Sequence, residues 1–217
     1  MSLDGIVDAP AGAGAEEWLA LSDELLAGLV HALNNRVAAL SACSELAALG
    51  DSQMLQDGML ATEVERLQRA SALFALLPAR DRPAEALDLA PVLEDAMLLH
   101  AHHPRMPVIE GVLEREGMVY AVRAPRWALV RLLVLLVDAA KTTAQDARAD
   151  RFELTVSGGD DTVRVWCRAR RAGLTYAAHV AGLCGATLVS EGDRLVLTLP
   201  SLQETRRRER RARDGGV

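Results

Sequence analysis

Residues 15–49, AEEWLALSDELLAGLVHALNNRVAALSACSELAAL, run without a proline. Within them Leu26, Val30, Leu33, Val37, Leu40 and Ala47 keep the 4-3 spacing of a heptad seam, which predicts a long amphipathic helix. Gly50-Asp51-Ser52 is a stop and restart signal, because glycine suits a left-handed helix end and Asp or Ser can cap the next helix. That second helix is expected to reach about Leu77. Two antiparallel helices cannot bury so broad an apolar stripe between themselves, so pairing with a second copy into a four-helix bundle is expected.

Beyond the hairpin, Pro78 ends the helix, and a second proline with several charges before Glu85 reads as a linker. The expected organisation is a flexible N-terminus (1–14), a helical dimerisation hairpin (15–78), a linker (79–85), a second domain (86–200) and a charged tail (201–217). In the second domain the pattern predicts a helix from about Leu89 to His100. Short strands follow at Val108 to Leu113 and Met118 to Val122, then an apolar helix from Pro125 to about Ala144. Two strand pairs flank turn signals, 152–156 with 162–169 around Gly158-Gly159, and 187–190 with 195–199 around Gly192-Asp193, with a helix at 174–183 between them. The fold class is therefore α+β. The Arg-rich tail reads as a solvated, frayed end.

Half of the residues are hydrophobic and a quarter charged, which describes a globular chain. A net charge of -6 argues against nucleic acid as a partner, since neutralising phosphates needs surplus Lys and Arg. Cys43, Cys167 and Cys184 have no metal-ligand spacing and fit no complete disulfide set, so a reducing cytoplasm is expected. The longest apolar run, Trp127 to Ala140, is broken by Arg131 and Asp138, so no membrane span is expected. Aromatic residues make up only 3%, which favours helix packing and a protein ligand over an aromatic-lined pocket.

His31 lies one residue past the seam position Val30, on the flank of the first helix, and Asn35 follows one turn later on the same face. Asn34 lies off that face. An imidazole and an amide so placed could both reach an incoming phosphoryl group. Leu29 to Val37 (LVHALNNRV) resembles the phospho-accepting box of histidine kinases, in which a histidine on the first helix of the hairpin takes the phosphoryl group. By that resemblance His31 is the catalytic nucleophile, and Asn35 matches the Thr or Asn that positions water for dephosphorylating the partner. Autophosphorylating boxes usually carry an acidic residue directly after the histidine. Here Ala32 stands there, which argues against autokinase activity.

The second domain resembles the ATP-binding domain of the same kinases in its element order. Pro125 to Ala140 (PRWALVRLLVLLVDAA) is similar to their magnesium-binding helix, with Asp138 where they carry Asn; one carboxylate could still bind metal, or Asp138 could simply occupy the polar side of the helix. After the strand ending near Arg168, the sequence passes through Arg170 to Gly173 into a helix, leaving no room for a nucleotide lid. The Asp-x-Gly-x-Gly turn is absent, and glycines are what let backbone amides approach phosphates. A kinase-like chain with a degenerate nucleotide domain is similar to ChpT-type histidine phosphotransferases. The resemblance implies a homodimer without its own cofactor, exchanging phosphoryl groups with response-regulator receiver domains that bring the Mg2+, with a histidine kinase as a further partner.

The rival reading is a pseudokinase scaffold that binds a receiver or kinase without accepting phosphate. A third keeps an atypical nucleotide site dependent on Asp138. His100, His102 and His103 precede Pro104 with no Cys or carboxylate at ligand spacing, and read as helix-end histidines rather than a zinc site. His179, in an apolar helix, reads as a partly buried side chain. No Gly-x-Ser-x-Gly elbow occurs, which sets serine hydrolases aside.

Overall fold

The computed structural model describes residues 15–49, 58–78, 83–118, 121–169 and 175–214. Their helices are α1 (Ala15–Ala48), α2 (Met59–Phe74), α3 (Leu89–His100), α4 (Arg126–Asp146), α5 (Thr175–Leu183) and α6 (Leu202–Asp214). The strands are β1 (Glu85–Leu87), β2 (Glu110–Glu116), β3 (Val122–Ala124), β4 (Arg151–Gly158), β5 (Thr162–Arg168), β6 (Thr187–Glu191) and β7 (Arg194–Pro200). The α+β class expected from the sequence is the class observed. The restart signal at 50–52, most of the expected linker and the segment 170–174 lie outside the described residues.

The main sheet is mixed, in the order β2-β4-β5-β7-β6, with β2 and β4 parallel and the other neighbours antiparallel. A parallel pair needs a long crossover, and here β3 and α4 lie between its two strands. Alternation sets the buried face: Leu154 stands opposite Cys167 and Cys167 opposite Leu195, all buried, and Val156, Val165 and Leu197 form the next such row. The tight turn between β6 and β7 uses Gly192 at φ 66°, a backbone region glycine enters without strain. Strand β1, within the stretch read as a linker and helix start, pairs antiparallel with β3 in a separate two-stranded ribbon.

Helix α4 explains its own sequence. It packs against α3 and α5 and over the sheet, and the successive residues Leu133, Val134, Leu135 and Leu136, which point to every side of it, are all buried. A helix covered all round has no amphipathic stripe, hence the run of Leu and Val over 132–137. Asp138 is therefore not on a polar side of the helix; it is only 7% exposed. The structure corrects that expectation, because the neighbours of α4 leave it no solvent face at this level.

The tail is also more ordered than expected. Ser201 is buried; its hydroxyl donates to the Asp160 carbonyl at 2.7 Å and accepts from the Glu204 amide at 3.1 Å, capping α6. The Ser-x-x-Glu spacing of Ser201 and Glu204 is a helix-start signal that the Arg-rich composition obscured. Arg123 reaches Glu209 at 2.6 Å and Arg207 reaches Asp161 at 2.5 Å, tying the helix to the sheet end. Ser201→Ala is expected to lower stability by about 1 kcal/mol, a thermal midpoint shift of about 2–4 °C at this size. An unchanged midpoint would show that the cap contributes nothing.

Candidate functional site

Helix α1 carries two apolar stripes. Trp18, Leu21, Leu25 and Leu29 are buried within the core shared with the second domain. Leu26, Val30 and Val37 of the heptad seam remain 41%, 44% and 53% exposed in the single chain. Both sets have 3- and 4-residue spacing, so periodicity alone could not say which partner each meets. Arg131 anchors the docked stripe from α4. Its guanidinium lies 4.8 Å from the Trp18 ring and 5.2 Å from the Trp127 ring, and donates to the Tyr176 hydroxyl at 3.1 Å.

The hairpin partner α2 is joined to α1 by charge as well as packing. Glu63 of α2 accepts from Arg36 of α1 at 3.2 Å and from Arg66 at 2.7 Å. Burial pushes its carboxyl up, but hydrogen bonds and charge from the two arginines outweigh this and hold it below its ordinary value. A carboxylate with a lowered folded pKa stabilises fully above its unfolded value, about 4.3, and loses that contribution as pH falls through the folded one. The stability gap between wild type and Glu63→Gln should thus close between about pH 5 and 3. Parallel pH profiles in denaturant melts would contradict it.

The docked part of α1 leads directly to His31. Glu24, Gly28, His31 and Asn35 follow i, i+4, i+7 and i+11, which places all four on one face. Glu24 pairs with His103 at 2.9 Å and with Arg105 at 3.0 Å, both in the segment after α3. Gly28 sits so close to that segment that a Cβ on it would fall 1.7 Å from the His102 carbonyl oxygen. One turn further, His31 and Asn35 are exposed, so the face emerges from the second domain at the histidine. The Asn35 Nδ2 lies 3.1 Å from His31 Nε2. An amide NH2 group only donates, so Nε2 presents its lone pair and the ring proton sits on Nδ1.

The three neighbouring histidines diverge. His100 is fully buried, with Nε2 3.0 Å from Asp138 Oδ1, and its ring stacks on His103 at 5.4 Å between centroids. Burial, then the charge of His100, depresses the basicity of His103, against the attraction of Glu24 and Asp138. Burial and Arg36 depress His102 likewise. Among the described residues no cluster of three or more His, Cys, Asp or Glu side chains is disposed to hold a metal. His179 is partly buried, 6.4 Å from the Tyr176 ring. The three cysteines are free and buried, and burial pushes the thiols of Cys167 and Cys184 up to about 12. Among the described residues no helix is long and apolar enough to cross a membrane.

Sequence reasoning singled out His31 and Asn35, which the structure places 3.1 Å apart, and passed over Glu24 and Gly28 on the same face. The signal was there: a carboxylate and a glycine at i-7 and i-3 from the histidine, in its own register.

No protein-family profile matches the chain, and no curated protein matches it. Solved structures of histidine kinases are similar in shape. The catalytic domain of histidine kinase ThkA is 15% identical with a TM-score of 0.44, over 55% of this chain and 99% of that one. ThkA in complex with the response regulator TrrA is 15% identical at 0.45, over 87% and 64%. A histidine kinase from Burkholderia phymatum is 18% identical at 0.42, over 86% and 97%. With scores below 0.5, what those kinases do is not carried over to this chain by the likeness.

Proposed function

We propose that the chain is a histidine phosphotransfer protein of a two-component phosphorelay, a homodimer that exchanges phosphoryl groups with response-regulator receiver domains through His31, without ATP. The observation that carries this reading is the exposed His31 with its Nε2 lone pair presented beside Asn35, at the point where α1 emerges from the second domain. A receiver reaching His31 would meet the hairpin on one side and the segment around His102 on the other. Such two-sided contact supports orientation of the reacting groups, the main contribution a phosphoryl-transfer protein makes.

In the transfer, the Nε2 lone pair forms a P–N bond as the acyl P–O bond of the receiver's phosphoaspartate breaks. The electron pair returns to the aspartate carboxylate. The receiver brings the Mg2+ that neutralises the phosphoryl oxygens. Asn35 would steady the ring tautomer and yield its hydrogen bond to the incoming group. Asp138, which by resemblance would stand at the metal position of kinases, is buried against His100. That engagement supports a role in the core rather than in nucleotide binding. The exposed Leu26, Val30 and Val37 support pairing with a second copy into a four-helix bundle, since water-exposed stripes of this kind gain most by burial.

The test supplies purified chain with labelled ATP and, separately, with a receiver domain phosphorylated by a small acyl phosphate. Label arriving from the receiver alone is the expected result. Label arriving directly from ATP would overturn the ATP-independent reading. No label from either would leave the pseudokinase scaffold.

A further inference from the structure

A cleft of about 460 Å³ opens where α3, α4 and β2 meet the outer edge of α2, a size within the range of small-molecule sites. Met97, Ile109, Leu113 and Phe152 give it an apolar body. Gly111 lets that wall close up: a Cβ there would stand 2.5 Å from Met97 Cε and 2.8 Å from Phe152 Cζ. None of the phosphotransfer chemistry at His31 uses this space.

The polar groups in the cleft are unusual for a packing defect. Lys141, 5% exposed, is among its lining residues; burial lowers its basicity, with Asp138 partly offsetting this as a nearby charge. The ring of His100 also lines it. Its Nε2–H donates to Asp138, so its Nδ1, buried and without a hydrogen-bond partner among the described residues, is an acceptor. Arg69 comes from α2 at the rim. The carboxylate in the lining, Glu94, is occupied by Arg115 at 2.6 Å. Lys141 and Arg69 thus give the apolar slot its positive groups. A buried ammonium is costly unless anionic groups face it, and the nearby Asp138 carboxylate is shared with His100 Nε2.

We propose that this cleft binds a small organic anion, its carboxylate or phosphate held by Lys141 and Arg69 and its apolar body laid against Met97 and Phe152. Arg69 belongs to the hairpin and Lys141 to the second domain, so the ligand bridges the two. The inference goes beyond the phosphotransfer reading and stands independently of it.

The test is a titration of the full chain with phenyl phosphate and, separately, phenylacetate, followed by amide chemical shifts, with phenol as the uncharged control. Saturable shifts at Ile109, Gly111 and Lys141 with either anion, and none with phenol, are expected; the two anions distinguish phosphate from carboxylate. Lys141→Met should weaken binding about tenfold, equivalent to about 1.4 kcal/mol. Arg69→Gln, at an exposed position that does not threaten folding, should weaken it about threefold. Absence of saturation, shifts confined to other surfaces, or unchanged affinity in Arg69→Gln would each overturn the proposal.

Discussion

His31→Gln is expected to abolish label transfer from a phosphorylated receiver while leaving the fold intact. The side chain is exposed and its hydrogen bond is to Asn35, itself exposed, so its loss costs the helix almost nothing; surface substitutions of this kind usually change stability by less than about 0.5 kcal/mol. Gln keeps a polar side chain of similar reach but has no nucleophilic nitrogen lone pair, because its amide nitrogen is delocalised into the carbonyl. Loss of transfer should therefore be complete within detection, at least about a hundredfold, consistent with removing a nucleophile outright. Thermal midpoint and oligomeric mass should match wild type. Asn35→Ala, tested beside it, should retain acceptance at a reduced rate, since the proposed part of Asn35 is to orient the ring and not to form the bond. Full transfer in His31→Gln would mean another residue accepts the phosphoryl group, and the proposed function would fall with it.

The second large effect is expected from a single methyl group. Gly28→Ala would normally help a helix by up to about 1 kcal/mol, because glycine carries extra backbone freedom in the unfolded chain. Here the new Cβ would lie 1.7 Å from the His102 carbonyl oxygen and 2.8 Å from its carbon. Those are backbone atoms and cannot swing aside as a flexible side chain would. Either α1 lifts away from the second domain, losing the Glu24 pairs with His103 and Arg105, or the segment after α3 shifts. Overpacking of this sort costs about 1–3 kcal/mol and sometimes more, so a net loss of about 2 kcal/mol and a midpoint fall of about 4–8 °C follow. Gly182→Ala in α5, where nothing lies within 4 Å of the added Cβ, is the internal control and should be neutral or mildly stabilising. Phosphoryl acceptance in Gly28→Ala should drop as well, since His31 follows one turn later. If both glycine variants behave alike in melts, α1 is not held where the geometry has it.

Much of the architecture is legible in local pattern. Order and spacing of apolar residues point to the two-helix start and to the helix, strand and hairpin succession of the second domain, because each element answers to a local period. Turn residues such as Gly192 need no tertiary information either. Other readings failed for identifiable reasons. Strand β1 is three residues long, too short for alternation to register, and it forms only because β3 offers it a partner. The tail's arginines pointed to a frayed end, whereas buried Ser201 and the Arg123 and Arg207 pairs hold α6 in place. Asp138 looked like the polar side of a helix because sequence does not say how many neighbours a helix has.

The sequence by itself determined the α+β class, the extent of the first helix and the pairing of His31 with Asn35 on one face, since all three follow from intervals along a single chain segment. Which stripe of α1 docks inside the chain and which stays exposed was settled by tertiary packing. It alone set Gly28 against the His102 carbonyl, buried Asp138 on His100, and gathered Arg69, His100 and Lys141 around one cleft. Those facts join residues tens of positions apart, and close approach between distant segments is fixed by packing, which no local period encodes.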